Sequence, residues 1–230
     1  MWARIQDGAC AEFTTTDPAG RFHPDVLWAE VPQSLRPWVD TNYLCGEAGT
    51  ITPPSLAYIK DQAKALLVAR RWKEETAGAL LPGGGRVPSQ DRDKTMLGGA
   101  REKALEEVEE AIAAALAAGR TAEEGRAEGL AITHTLDMGG VPFSATNGQF
   151  ILMARAQANH VQGCFDRWGD IWRALDAAPT WEDVVTVYAA EIDKGWPGHV
   201  VPTPPAEPEP EPEEPAPEDP PPEPAEPETA

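Results

Sequence analysis

Apolar positions along the chain change their spacing near residue 55. Before it they come in short runs between turn-forming residues; after it they recur every three or four positions. The first pattern predicts strands and the second helices. Ala3 to Gln6 and Ala9 to Phe13 flank Asp7-Gly8, a pair that tolerates positive φ, and so predict a two-residue hairpin. Residues 25–31 and 38–44 are rich in β-branched and aromatic side chains, with Pro24, Pro32, Pro37 and Gly46 as punctuation, and are predicted as a second pair of strands. Residues 1–52 thus form an expected antiparallel β module, too short for independent stability unless a helix or a partner covers it.

Ser55 is placed to cap a helix running to Thr76, with Gly78 as its stop and Leu56, Ile59, Ala63, Leu66, Leu67 and the Arg70/Trp72 end as its stripe. A hairpin is predicted around Pro82-Gly83-Gly84-Gly85. A long helix to Ala118 follows, capped by Asp91 or Asp93, with Leu97, Ala104, Leu105, Val108, Ala111, Ile112, Ala115 and Leu116 as its seam. Residues 120–129 suit a short helix, and residues 132–136 and 141–143 a further hairpin around Asp137-Met138-Gly139-Gly140. The most persistent helical pattern runs from Phe150 to Leu175, with Thr146 or Asn147 as its cap, and Thr180 caps a last helix from Trp181 to about Lys194. The expected architecture is α+β: a β module (1–52), a helical domain with inserted hairpins (53–198) and a tail (199–230).

Charge separates the tail from the rest. The chain has 38 carboxylates and 19 Lys and Arg, a formal charge of −19. Residues 201–230 contain 13 of the 24 prolines and 10 of the carboxylates without one Lys or Arg, leaving 28 carboxylates against 19 cations elsewhere. Such a Glu-Pro segment buries too little apolar surface to offset its ordering entropy, so it is expected to be disordered, as a solubilising spacer or as an anionic arm that shields a partner's patch. High acidity without a Lys/Arg cluster argues against nucleic acid. The longest weakly polar run, residues 111–118, falls far short of the roughly 18 apolar residues of a membrane crossing. The first seven residues lack the basic start and apolar core of a secretory signal, and three scattered cysteines imply no disulfide framework, so a reducing, cytosolic setting is expected.

Several segments together resemble a known family. Ala3-Arg4-Ile5 with Asp7-Gly8, then Arg21-Phe22-His23-Pro24, then Pro53-Pro54 before a helix, are similar to the N-terminal module of tailed-bacteriophage and prophage tail-region proteins. Arg70-Arg71-Trp72-Lys73-Glu74-Glu75-Thr76-Ala77-Gly78, Val87-Pro88-Ser89 followed by Asp91-Arg92, and His160-Val161-Gln162-Gly163-Cys164-Phe165-Asp166 resemble a domain of unknown function found in such proteins. The resemblance implies a non-enzymatic role near the tail fibres or tail tip, as a virion component or as an assembly chaperone absent from the virion. Its implied partners are phage tail or tail-fibre proteins, and its implied location the virion tail or the host cytoplasm during assembly. An acidic DNA mimic or inhibitor is the competing class.

Candidate chemistry is sparse. His23, His134, His160 and His199 share no helix face and no metal-ligand spacing. His160 and Cys164 lie one turn apart, a spacing that admits a reactive thiol but is explained more simply by a core histidine beside a small hydrophobe. Pro82-Gly83-Gly84-Gly85-Arg86 lacks the frame of a phosphate loop, and Asp91 with Asp93 lacks that of a calcium loop. No catalytic, cofactor or metal residue is nominated. Binding is placed instead on Phe165, Trp168, Trp172 and Trp181, with Trp196 nearby, because tryptophan combines large buried area with one polar handle. Left uncovered, that face suits another helix or a homo-oligomer contact, and Leu105 with Ile112 offers a second option as a short coiled coil.

Overall fold

Asp7 (φ +52°) and Gly8 (φ +76°) both adopt positive φ, as a type I′ turn requires, and close the hairpin between β1 (Trp2–Gln6) and β2 (Ala9–Thr14). A register shift between Arg4 and Ile5 bends it. β3 (Trp28–Glu30) pairs with β1, and β4 (Leu44–Cys45) and β5 (Ile51–Thr52) extend the other edge, giving an antiparallel sheet of order β3-β1-β2-β4-β5. The computed structural model describes residues 1–198 apart from Glu47, Pro82, Gly83, Gly139 and Gly140, all within one compact unit. The expected disordered tail and the tips of the two later hairpins lie outside the described residues.

The predicted strand over 38–44 is not formed. After a 3₁₀ turn at Gln33–Leu35, the Trp38 and Val39 amides both donate to the Leu35 carbonyl, and Tyr43 donates to Asp40, which leaves these donors unavailable to a ladder. Side chains complete the loop. Tyr58 and Gln62, on the following helix, both donate to Asp40; Asn42 donates to Tyr58 at 2.8 Å, and the fully buried Tyr43 donates to Gln62 at 2.9 Å. Aromatic content reflected burial here, not strand pairing. The strand predicted over 25–31 contracts to β3 because the Val26 amide turns back to His23.

Helix α1 (Leu56–Thr76) begins where expected, with Ser55 accepting from the Tyr58 amide. α4 (Asn147–Ala177) starts on a capping box between Thr146 and Gln149, and α5 (Trp181–Glu191) on Thr180. These three helices cover the sheet. Ala3, Cys10, Ala29 and Ile51 of the strands share a first core with Ile59 and Leu67 of α1, Ile171 and Leu175 of α4, and Val184 of α5. Trp38 stands edge-on to Tyr188 with ring centroids 4.6 Å apart.

A second core lies beyond it. It joins the hairpin of β6 (Ala79–Leu80) and β7 (Arg86–Val87), the helix α2 (Asp91–Ala117), the hairpin of β8 (Thr133–Met138) and β9 (Val141–Thr146), and the first turns of α4, through Val87, Leu97, Ala145, Phe150 and Met153. The cap of α2 is Gln90, without a side-chain bond; Asp91 and Asp93 sit inside the first turn, where they favour the positive end of the helix dipole. The apolar stripes are also narrower than the spacing predicts, since Leu66 and Trp72 of α1 and Leu105 and Leu116 of α2 are exposed.

Helix α3 (Ala122–Ala131) packs on α2 at close range because of two glycines. A Cβ on Gly125 would lie 2.6 Å from the Ala111 carbonyl oxygen, and one on Gly129 would lie 2.6 Å from the Val108 Cα. Gly129→Ala is therefore expected to destabilise the protein by about 1–3 kcal/mol through overpacking against backbone. Gly99→Ala, inside α2 with open space at its Cβ, is expected to stabilise it by about 0.5–1 kcal/mol, both read from urea unfolding midpoints.

Glu107 ties α2 to β8 and α4. Its carboxylate accepts from Asn147 Nδ2 at 2.9 Å and contacts His134 Nε2 at 2.6 Å, and these bonds hold its carboxyl below the usual range. Asp176 is lowered by the Lys64 hydrogen bond and Glu191 by that of Arg167. A depressed folded-state value means that the unfolded chain takes up protons first on acidification. The contribution is thus present above the ordinary carboxylate range and lost as pH falls through the folded values. The unfolding midpoint is expected to fall in acid, less steeply in Glu107→Gln, as measured by urea titrations at stepped pH.

Candidate functional site

Three of the segments that carry the family resemblance, residues 70–78, 87–92 and 160–166, meet at the C-terminal end of α1. The last carbonyls of a helix lack intrahelical donors, and here side chains from separate elements supply them. His160 Nε2 of α4 lies 3.0 Å from the Glu74 carbonyl oxygen, and Ser89, between β7 and α2, donates to that of Glu75. Arg86 reaches the carbonyls of Ala77 and Gly78 at 3.3 and 3.2 Å. Gln157 donates to the Pro88 carbonyl at 2.6 Å, which fixes the approach of the β7–α2 junction to α4. Gly78, at φ +93°, is required twice over: by its conformation, and because a Cβ there would meet the Val87 carbonyl oxygen at 2.8 Å.

Charges complete this closure. Glu75, almost wholly buried, pairs with Lys94 at 2.6 Å, and Arg70 bridges Glu74 at 2.9 Å and Asp193 at 3.2 Å. Burial alone would lower Lys94, but its hydrogen bonds to Glu75 and Asp91 outweigh that and raise it.

His160 and Cys164 do meet, with Nε2 3.9 Å from Sγ. The same nitrogen faces the Glu74 carbonyl, which only accepts, so Nε2 carries the proton and is not free to take one from the thiol. Burial, with Glu75 and Glu74 nearby, pushes the Cys164 thiol up to about 11. The pair belongs to the packing of the closure. No group of His, Cys, Asp and Glu among the described residues is arranged to hold a metal ion.

One helical turn further along α4 the surface changes character. Phe165 stands edge-on to Trp168 at 6.4 Å between centroids, and Trp168 is tilted against Trp172 at 5.1 Å. Arg71 of α1 lies 4.3 Å over the Phe165 ring and 5.8 Å over Trp168, while Lys64 lies 4.6 Å over Trp172 and pairs with Asp176 at 2.7 Å. The two tryptophans are half-buried against the first core, and Phe165 is 40% exposed. The Trp168 indole nitrogen is buried without a hydrogen-bond partner among the described residues. The result is a strip of contacting rings flanked by cations, an arrangement suited to apolar and carboxylate groups on a partner.

Three of the four residues expected from the sequence are brought together. Trp181 stands apart on α5, half-buried against the first core and outside the ring contacts that join the other three. Lys64 and Arg71 were missed. Their seven-residue separation on α1 puts both on one helical face, but nothing local to α1 shows which rings that face meets.

The arrangement defines a small α+β protein whose motif residues lock a helix end and whose exposed feature is an aromatic-cationic strip. Residues 58–193 match a family described as domain of unknown function (DUF4376), and the chain belongs to that family. No curated protein and no solved structure matches the chain.

Thiol accessibility checks the closure. Cys10 and Cys164 are buried and Cys45 is partly exposed. In the native protein a disulfide reagent is expected to titrate Cys45 rapidly and the other two only after unfolding; rapid native labelling of Cys164 would contradict the packing around His160.

Proposed function

We propose that this protein acts in a bacteriophage tail, near the tail fibres or tail tip, as a non-enzymatic component that works through protein–protein contacts. The observation that carries the contact reading is the strip of Phe165, Trp168 and Trp172, partly exposed, packed on one another and flanked by Arg71 and Lys64. Pre-ordered aromatic rings suit binding because little side-chain freedom remains to be lost on association. The tail setting is supported by the ordered resemblance to tail-region proteins along most of the first 200 residues. Two of the resemblance segments, around Arg71 and Phe165, supply the two sides of this strip.

Mass spectrometry of purified particles, alongside a pull-down from infected-cell lysate, tests the reading. The protein is expected in virions at fixed stoichiometry and in the pull-down with a tail or fibre protein. Phe165→Asp is expected to weaken that co-purification at least tenfold while leaving the unfolding midpoint near the wild-type value, because the ring is already substantially exposed. Presence only in the pull-down makes it an assembly chaperone. Absence from both sinks the tail reading.

A further inference from the structure

A groove of about 510 Å³ runs beside the first three turns of α4, away from the aromatic strip. Leu81, Phe143, Leu152, Met153 and Ala156 give it an apolar floor. Leu152 is 64% exposed, well beyond what a core position of an amphipathic helix shows. The rim is polar, with Gln149, Arg155 and Asn159. Among the described residues no carboxylate lines it, although carboxylates outnumber cations two to one in the whole chain. Arg155 has no ion pair among the described residues, so the groove presents one uncommitted guanidinium beside apolar surface.

The same chain carries the complementary surface. Helix α2 meets the protein's own body through Leu97, Ala104, Val108 and Ala115, all buried. Its opposite edge repeats at helical spacing through Glu102, Leu105, Glu106, Glu109, Ala113 and Leu116, all exposed. Leu105 is 37% exposed and Leu116 56%. They stand eleven residues apart, about three turns or roughly 16 Å along the helix, so both lie on one line. Glu102, Glu106 and Glu109 take no ion pair among the described residues. This edge thus offers two apolar knobs with carboxylates between and before them, against a groove that offers apolar surface and a free Arg.

We infer that the α2 edge of one copy of this chain docks in the α4 groove of a second copy. Because α2 turns its other face to its own α4, the edge faces solvent and the contact runs between copies. The two surfaces are different patches, so the contact is heterologous and propagates head to tail, closing into a ring or extending as a filament. Arg155 meets Glu109 or its neighbours by a charge-assisted hydrogen bond, which sets register, while Leu105 or Leu116 seats over Leu152 and Phe143. The inference does not rest on the tail reading, since neither patch includes the aromatic strip.

Sedimentation equilibrium of the full chain over a wide concentration range tests it, with Leu152→Asp to block the groove and Leu105→Asp combined with Leu116→Asp to block the edge. All three leucines are exposed, so unchanged far-ultraviolet circular dichroism and thermal midpoints are expected. The wild type is expected to associate, and each variant alone to sediment as a 24.8 kDa monomer. An equimolar mixture of the two variants is expected to stop at a heterodimer, because the groove-blocked chain keeps its edge and the edge-blocked chain keeps its groove. A monomeric wild type, wild-type association by either variant alone, or a mixture that stays monomeric each overturns the proposal.

Discussion

Everything in this protein depends on how the C-terminal end of α1 is closed. The last turn of this 21-residue helix leaves carbonyl groups short of intrahelical donors, with Glu74 and Glu75 themselves buried. Here they are met by His160, Ser89 and Arg86, from the middle of α4, the β7–α2 junction and β7. The His160 bond joins residues 86 positions apart, and the Ser89 and Arg86 bonds fold the following hairpin back onto the helix end. The closure therefore ties α4 to the end of α1, the two helices that carry the aromatic rings and the Arg71 and Lys64 cations. It also gives His160 and Ser89 a structural role: buried beside the last carbonyls of α1, such residues satisfy the backbone.

The β sheet depends on the same helices. With β4 and β5 only two residues each, it has little ladder of its own and owes its order to the apolar face it shares with α1, α4 and α5. Asp40, Tyr58 and Gln62 fasten the loop between β3 and β4 to α1 by hydrogen bonds. The consequence for function is that the aromatic strip sits on a framework braced from both ends, by the first core beneath it and by the polar closure beside it.

Local chemistry was legible wherever one residue and its immediate neighbours decide the conformation. Asp7-Gly8 makes a hairpin because both positions tolerate positive φ, and Ser55, Thr146 and Thr180 start helices because their hydroxyls reach free amides a turn ahead. Reading failed where distant partners compete. Residues 38–43 have strand-forming side chains, yet their donors are taken by turns and by α1. Leu105 and Leu116 fit a helical seam by spacing, yet the side of α2 that meets the protein is set by where α3 and α4 pack. Of the site, the rings could be named in advance, but the cations that flank them could not.

The sequence alone determined the helices and hairpins, the α+β class and the aromatic bias of α4, though not the strands of residues 25–52, because caps, turns and periodicity act within one or two helical turns. Only the tertiary structure decided that His160 faces a carbonyl and is not a base for Cys164, that Trp181 stands apart from the other rings, and that two patches of opposite character remain open on α2 and α4. Those outcomes follow from contacts between residues tens of positions apart, which no local pattern encodes.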